Sequence, residues 1–161
     1  MQDYQRNTTL VHRVTQRNTQ SYTVKNSEKH CDLEKTNYMQ LNDITHEILD
    51  SAYKVHSALG PGLLESTYQA CLVYELRKKG MTVEVEKPLP LIYEDMKLEC
   101  GYRIDILVEN KVVVELKCVE AFRDVHTAQL LTYLKLSGCK VGLLLNFYTK
   151  SLKNGIKRLI L

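Results

Sequence analysis

No run of apolar residues in this chain approaches the roughly 20 that a membrane span requires. The first residues contain no apolar stretch of the kind a secretory leader carries, so the expectation is a soluble, cytoplasmic protein. Cysteine is sparse: the chain has Cys31, Cys71, Cys100, Cys118 and Cys139, an odd number with no CxxC spacing. That argues against a disulfide framework and against a zinc site. Cys71, Cys100 and Cys118 lie in apolar patterns and read as buried thiols, which suits a reducing compartment. Tryptophan is absent, while there are 10 Tyr, and Gly and Pro number only 7 and 3, as in an ordinary globule. Strong charge of either sign is also missing: the net value is +3, which permits a nucleic-acid partner without demanding one.

What is present fits one domain with a tail. Of 161 residues, 44% are hydrophobic and 25% charged, enough for a single core. Residues 1–40 are rich in Gln, Asn, Thr and Ser and hold no period for long. Such a segment buries too little apolar surface to offset its ordering entropy, so it is expected to be a disordered polar tail. The folded domain is expected over residues 41–161.

From Leu41 the periods sharpen. In "LNDITHEILDSAYKVHSALG", Ile44, Ile48, Ala52, Val55 and Leu59 form a helical stripe, with Asn42 or Asp43 as N-cap and Gly60 as stop. "LLESTYQACLVYELRKKG" predicts a second helix with Leu64, Tyr68, Cys71, Leu72 and Leu76 inward and Gly80 at its end. The period then changes to two. "MTVEVE" reads as a strand. "LPLIYEDMKLECGYRIDILVE" reads as a strand, a turn at Glu94-Asp95 and one longer strand, and "KVVVELKCV" follows. "DVHTAQLLTYLKLSG" predicts a helix from an Asp124 cap to Gly138, "KVGLLLNF" a buried strand and "GIKRLIL" a last edge strand. The order α-α-β-β-β-β-α-β, with that edge strand after it, predicts an α/β fold with a central mixed sheet flanked by helices.

"KVVVELKCV" poses the chemical question. Strand residues alternate faces, so Val113, Glu115, Lys117 and Val119 share one side. An acid and a base bracketed by valines are expected in a half-buried notch, where an unpaired charge is costly. With a three-residue hairpin loop at Glu109-Asn110-Lys111, Asn110 or Lys111 left-handed, Val108 faces Val112. Asp105 then lies directly opposite Glu115, and Arg103 opposite Lys117. Two carboxylates so close repel unless a cation joins them. With a backbone carbonyl and water they suit Mg²⁺, and Lys117 could orient a water and stabilise charge on a phosphate. A purely structural ion-pair cluster would use the same three residues. On the helices, Glu65 and Tyr68 share a face, as do Gln129 and Tyr133 with His126. Packed tyrosines and a capping histidine are the plainer reading of those side chains.

The ordered set "GPGLLESTYQ", "YRIDILVENKVVVELK" and "AQLLTYLKLSG" resembles the GxxExxY protein family, placed in the PD-(D/E)xK nuclease-like superfamily. The likeness runs from about Leu41 to Leu161. It implies a restriction-endonuclease-like core of helix, three-stranded meander, helix and strand. It further implies that Asp105, Glu115 and Glu65 hold Mg²⁺, with Mn²⁺ as a substitute. Lys117 would assist the water, and Gln129 would stand near the site with Tyr68 and Tyr133 in support. The superfamily's Pro before the Asp is Ile104 here. The implied activity is a Mg²⁺-dependent nuclease acting on DNA or RNA, with a homodimer left open. The alternative is a non-catalytic nucleic-acid-binding or protein-interaction module, using Lys150, Lys153, Lys157 and Arg158, or Arg77-Lys78-Lys79, on phosphates.

One expectation concerns the tail. A chain begun at Met39 should keep the thermal midpoint of the full chain, measured by circular dichroism. A large drop would show that residues before it pack on the domain.

Overall fold

A computed structural model describes residues 40–98 and 101–161. The expected polar tail lies, apart from Gln40, outside these residues, as does Cys100. The described chain begins in a helix, α1, over residues 40–59, and α2 follows at Glu65–Lys78. Strands β1 (Val83–Pro88), β2 (Leu91–Tyr93), β3 (Met96–Leu98), β4 (Arg103–Val108) and β5 (Val112–Lys117) lead to α3 (Asp124–Ser137). Strand β6 (Val141–Asn146), a 3-10 turn (Leu152–Gly155) and β7 (Ile156–Ile160) complete the order.

Among the described residues, five strands form one mixed sheet in the order β1-β4-β5-β6-β7, parallel only between β5 and β6. That parallel step is made by α3 as a crossover, as parallel pairing requires. Strand β1 is an edge, which tolerates Pro88. Among the described residues, strands β2 and β3 pair only with each other. The single long strand expected after Glu94-Asp95 is therefore two, β3 and β4, with Gly101 at φ 68° between them.

The sheet is covered on both faces, as the expected architecture demands. Ile48, Ala52 and Val55 of α1 and Tyr68, Leu72 and Leu76 of α2 pack on Val112, Val114, Leu116, Leu143 and Leu145. Leu130, Tyr133 and Leu134 of α3 pack on the opposite face, on Val113 and Leu144. The strict alternation of β5 and β6 thus feeds two cores at once. Burying a leucine or valine in such a layer contributes about 1.5–3 kcal/mol.

Gly60, Gly80 and Gly138 end the three helices with positive φ, as expected. Helix starts are where the reading errs. α1 is already helical at Gln40, so neither Asn42 nor Asp43 caps it. Leu64 is the N-cap of α2 and is 75% exposed instead of facing inward. Leu59 is likewise exposed, and Asp124 lies inside α3, whose N-cap is Arg123. Cys71 and Cys118 are half-buried and Cys139 is buried, all as free thiols.

The loop after β6 folds back tightly. Gly155 is buried, and a Cβ there would collide with the Asn146 carbonyl oxygen and come within 2.9 Å of Thr149 Oγ1. Backbone cannot yield as a flexible side chain does. Gly155→Ala is therefore expected to destabilise the domain by about 1–3 kcal/mol. Denaturant unfolding checks this, and an unchanged midpoint would show that the loop can open without cost.

Candidate active site

The β4–β5 hairpin has the expected register, with Val108 paired to Val112, Leu107 to Val113 and Ile106 to Val114. The left-handed residues of its loop are Glu109 and Asn110. The ladder stops there, however. Asp105 and Glu115 are not a cross-strand pair, nor are Arg103 and Lys117, and Arg103 instead reaches Glu86 at 3.4 Å. On the other side, β1 pairs with β4 above and below Asp105, but Glu86 and Asp105 are skipped. Glu86 adopts φ 50°, a left-handed conformation that an L-residue with a Cβ rarely takes. Ile104 and Ile106, which a regular strand would put on one face, enter opposite cores. The strand thus rotates at Asp105, and this frees its carboxylate from the sheet face.

Two hydrogen bonds hold Asp105 in the rotated position. Its Oδ2 accepts the Leu116 amide of β5 at 2.8 Å, standing where a backbone carbonyl of β4 would otherwise accept. Its carbonyl accepts from Gln69 Nε2 of α2 at 3.0 Å. Burial raises the Asp105 pKa, with Glu86 adding to it, while the Leu116 amide, Lys117 and Arg103 act against the rise.

Glu115 faces the α3 side and is only 1% exposed. Its Oε1 accepts from Lys117 Nζ at 2.7 Å, but its buried Oε2 has no hydrogen-bond partner among the described residues. Its pKa is pushed up to about 7, by burial first and by the Asp105 charge next, and the Lys117 ammonium only partly compensates. Burial alone would lower the Lys117 pKa. The bond to Glu115 and the fields of Glu115, Glu65 and Asp105 outweigh it, so the net shift is upward. Glu65, in the first turn of α2, joins this field. Desolvation raises its pKa and Asp105 contributes in the same direction, against the Lys117 charge and the Cys118 amide. Three acids and one ammonium therefore share one electrostatic neighbourhood.

The supporting residues have other tasks. Tyr68 is fully buried, stacks on Phe147 with centroids 4.5 Å apart, and donates to the Gly60 carbonyl at 2.6 Å. Its hydroxyl also accepts the Leu63 amide, so it ties down the α1–α2 turn just before Glu65. Gln129 donates to the Tyr133 hydroxyl at 2.9 Å, and no bond joins it to the acids among the described residues. His126 is buried and caps α3, its Nδ1 accepting the Arg123 amide at 3.1 Å. Gln69 and Asn146 escaped the sequence reading. The only signal for Gln69 was its place one residue after Tyr68, and Asn146 gave none.

No three His, Cys, Asp or Glu side chains among the described residues group closely enough to enclose a metal by themselves. Any ion held here would draw on the two strand carboxylates together with backbone oxygen and water. Among the described residues, no helix is long and apolar enough to cross a membrane.

A sequence model described as PD-(D/E)XK nuclease superfamily matches residues 42–159, the greater part of the chain. No curated protein and no solved structure was found to match.

The raised carboxyl pKa values carry a pH signature. Glu115 titrates at an ordinary 4.5 when unfolded and at about 7 when folded. Between those values the folded state binds more protons, so stability is lost as pH rises through the window. Asp105 and Glu65 act in the same sense, whereas the lowered His126 pKa acts oppositely. Glu115→Gln is expected to remove most of the decline in metal-free stability between pH 5 and 8, relative to the parent. Parallel stability–pH curves for the two proteins would contradict this assignment.

Proposed function

We propose that this chain, which belongs to the PD-(D/E)XK nuclease superfamily, hydrolyses nucleic-acid phosphodiester bonds with a divalent metal ion, Mg²⁺ or Mn²⁺. Within the superfamily, the run Gly62, Glu65 and Tyr68 followed by Gln129 and Tyr133 supports a place among the GxxExxY proteins. One observation carries the enzymatic reading. A buried carboxylate, Glu115, keeps one oxygen without a partner among the described residues while a second acid, Asp105, raises its pKa. A structural ion pair would be expected to satisfy both oxygens.

A divalent cation fits this donor set. All the donors are oxygens, which suits Mg²⁺, and a cation would both occupy Glu115 Oε2 and relieve the repulsion between the acids. Asp105 and Glu115 would hold it together with backbone oxygen and water, and Glu65 would add negative charge beside them. When bound, such an ion supplies Lewis-acid polarisation of a phosphate oxygen and of water.

The protein's own groups do the rest. Lys117 lies one pleat beyond Glu115 and retains 14% side-chain exposure, so its ammonium can face a phosphate while Glu115 cannot. It would stabilise the negative charge that develops as water attacks. The Leu116 amide and Gln69 fix Asp105 from two sides, so the carboxylate does not have to reorganise during the reaction.

Lys117→Ala should leave the protein folded and binding nucleic acid within a few-fold, yet slow Mg²⁺-dependent cleavage about a hundredfold. Purified parent and variant on a panel of DNA and RNA substrates, with EDTA as control, provide the measurement. In the same proteins, calorimetry should show Mg²⁺ binding that Asp105→Asn abolishes. A parent that cuts no member of the panel would favour the binding-module reading. Unchanged cleavage by the variant would assign the activity elsewhere.

A further inference from the structure

Asp105 and Glu115 are recessed, and the chain presents an exposed tyrosine beside an arginine on each side of them. On one side, the Phe147 amide donates to the Lys117 carbonyl at 2.9 Å, which places Tyr148 next to the end of β5. Tyr148 is 49% exposed. It lines a groove of about 460 Å³ together with Cys118, Arg123 and His126. One buried side chain fixes both walls of that groove. Asn146 is 2% exposed, its Oδ1 accepts the Val119 amide at 3.1 Å and the Tyr148 amide at 3.2 Å, and its Nδ2 donates to the Val119 carbonyl at 2.7 Å. The Arg123 backbone is held by His126.

On the other side, Tyr102 and Arg103 precede Asp105 and line a second cleft of about 540 Å³. Tyr102 is 43% exposed and rests edge-on against Tyr133, with centroids 6.4 Å apart. Tyr133 is in turn held by Gln129.

Both rings are thus exposed and backed by ordered structure, which is the character of a stacking platform. An unpaired base can lie on such a ring whatever its sequence. In a duplex the ring faces are already stacked inside the helix and cannot reach it. Dense phosphate contact is not the alternative means of holding a strand, since Glu120 also lines the first groove and the net charge is only +3.

We propose that the strand taken by this site is unpaired, with the base on one side of the reacting phosphate stacked on Tyr148 and the base on the other side on Tyr102. Arg123 and Arg103 meet the adjoining phosphates. The placing of the reacting phosphate at Asp105, Glu115 and Lys117 rests on the nuclease reading above.

The test is fluorescence anisotropy of the full chain in Ca²⁺, using a labelled single strand of about 12 nucleotides and the duplex of the same sequence. The single strand should bind more tightly than the duplex. Tyr148→Ala and Tyr102→Ala should each weaken single-strand binding about tenfold and leave duplex binding unchanged. Tyr148→Trp should restore it, and thermal midpoints should stay at the parent value. Duplex binding as tight as single-strand binding, or alanine variants that bind like the parent, would overturn the proposal. Cleavage of the same substrates in Mg²⁺ separates this from the nuclease reading. Tyrosine-dependent single-strand binding without any cutting would leave the platforms standing and remove the nuclease. Duplex cutting indifferent to both tyrosines would do the reverse.

Discussion

A carboxylate taken out of water must be neutralised by a proton or by a positive charge, and Glu115 faces that demand in the middle of the sheet. Its one ammonium partner among the described residues, Lys117, contacts a single oxygen. Much of the surrounding structure can be understood from the remaining deficit. Val113 and the α3 layer create the low-dielectric setting that raises the pKa. Asp105 aggravates the deficit instead of relieving it. A protein selected for stability alone would be expected to fill such a position with an apolar residue. Retaining two acids and a base there is consistent with a site whose electrostatics are completed from outside.

The fold supplies the means in few parts. Helix α2 alone contributes three: Glu65 adds charge at the site, Tyr68 fastens the preceding turn, and Gln69 holds the Asp105 backbone. The five consecutive residues from Glu65 to Gln69 thus tie one end of a helix to the interruption in β4. Strand β5 contributes from both faces, since Leu116 donates its amide to Asp105 while its side chain packs under α1 and α2.

How much of this was legible in the sequence depends on the range of the interaction. Alternation in "VVVELK" revealed both the two-sided burial of β5 and the shared face of Glu115 and Lys117, because a strand's period is local. The helix-ending glycines were legible for the same reason. Leu64 was misplaced because a helical stripe says nothing of where the helix begins. The rotation of β4 was hidden, since its conformational signature falls on Glu86, a residue type that gives no hint of positive φ. Gln69 and Asn146 were missed because their partners are backbone atoms 36 and 27 residues away. Polar side chains with such partners look in a sequence like any solvated amide.

The alternation of β5 also protects the sheet during assembly. Shifting this strand by one residue against β6 would exchange its two faces. Among valines alone the error would go almost unpunished, because Val112, Val113 and Val114 are interchangeable in shape and polarity. With Glu115 and Lys117 in the same strand, the slipped chain would drive both charges into the aliphatic layer beneath α1 and α2. That arrangement is prohibitively costly. The charged pair therefore serves as a proofreading mark for strand alignment, and the groups suited to chemistry also dictate which of two nearly equivalent pairings the chain can keep.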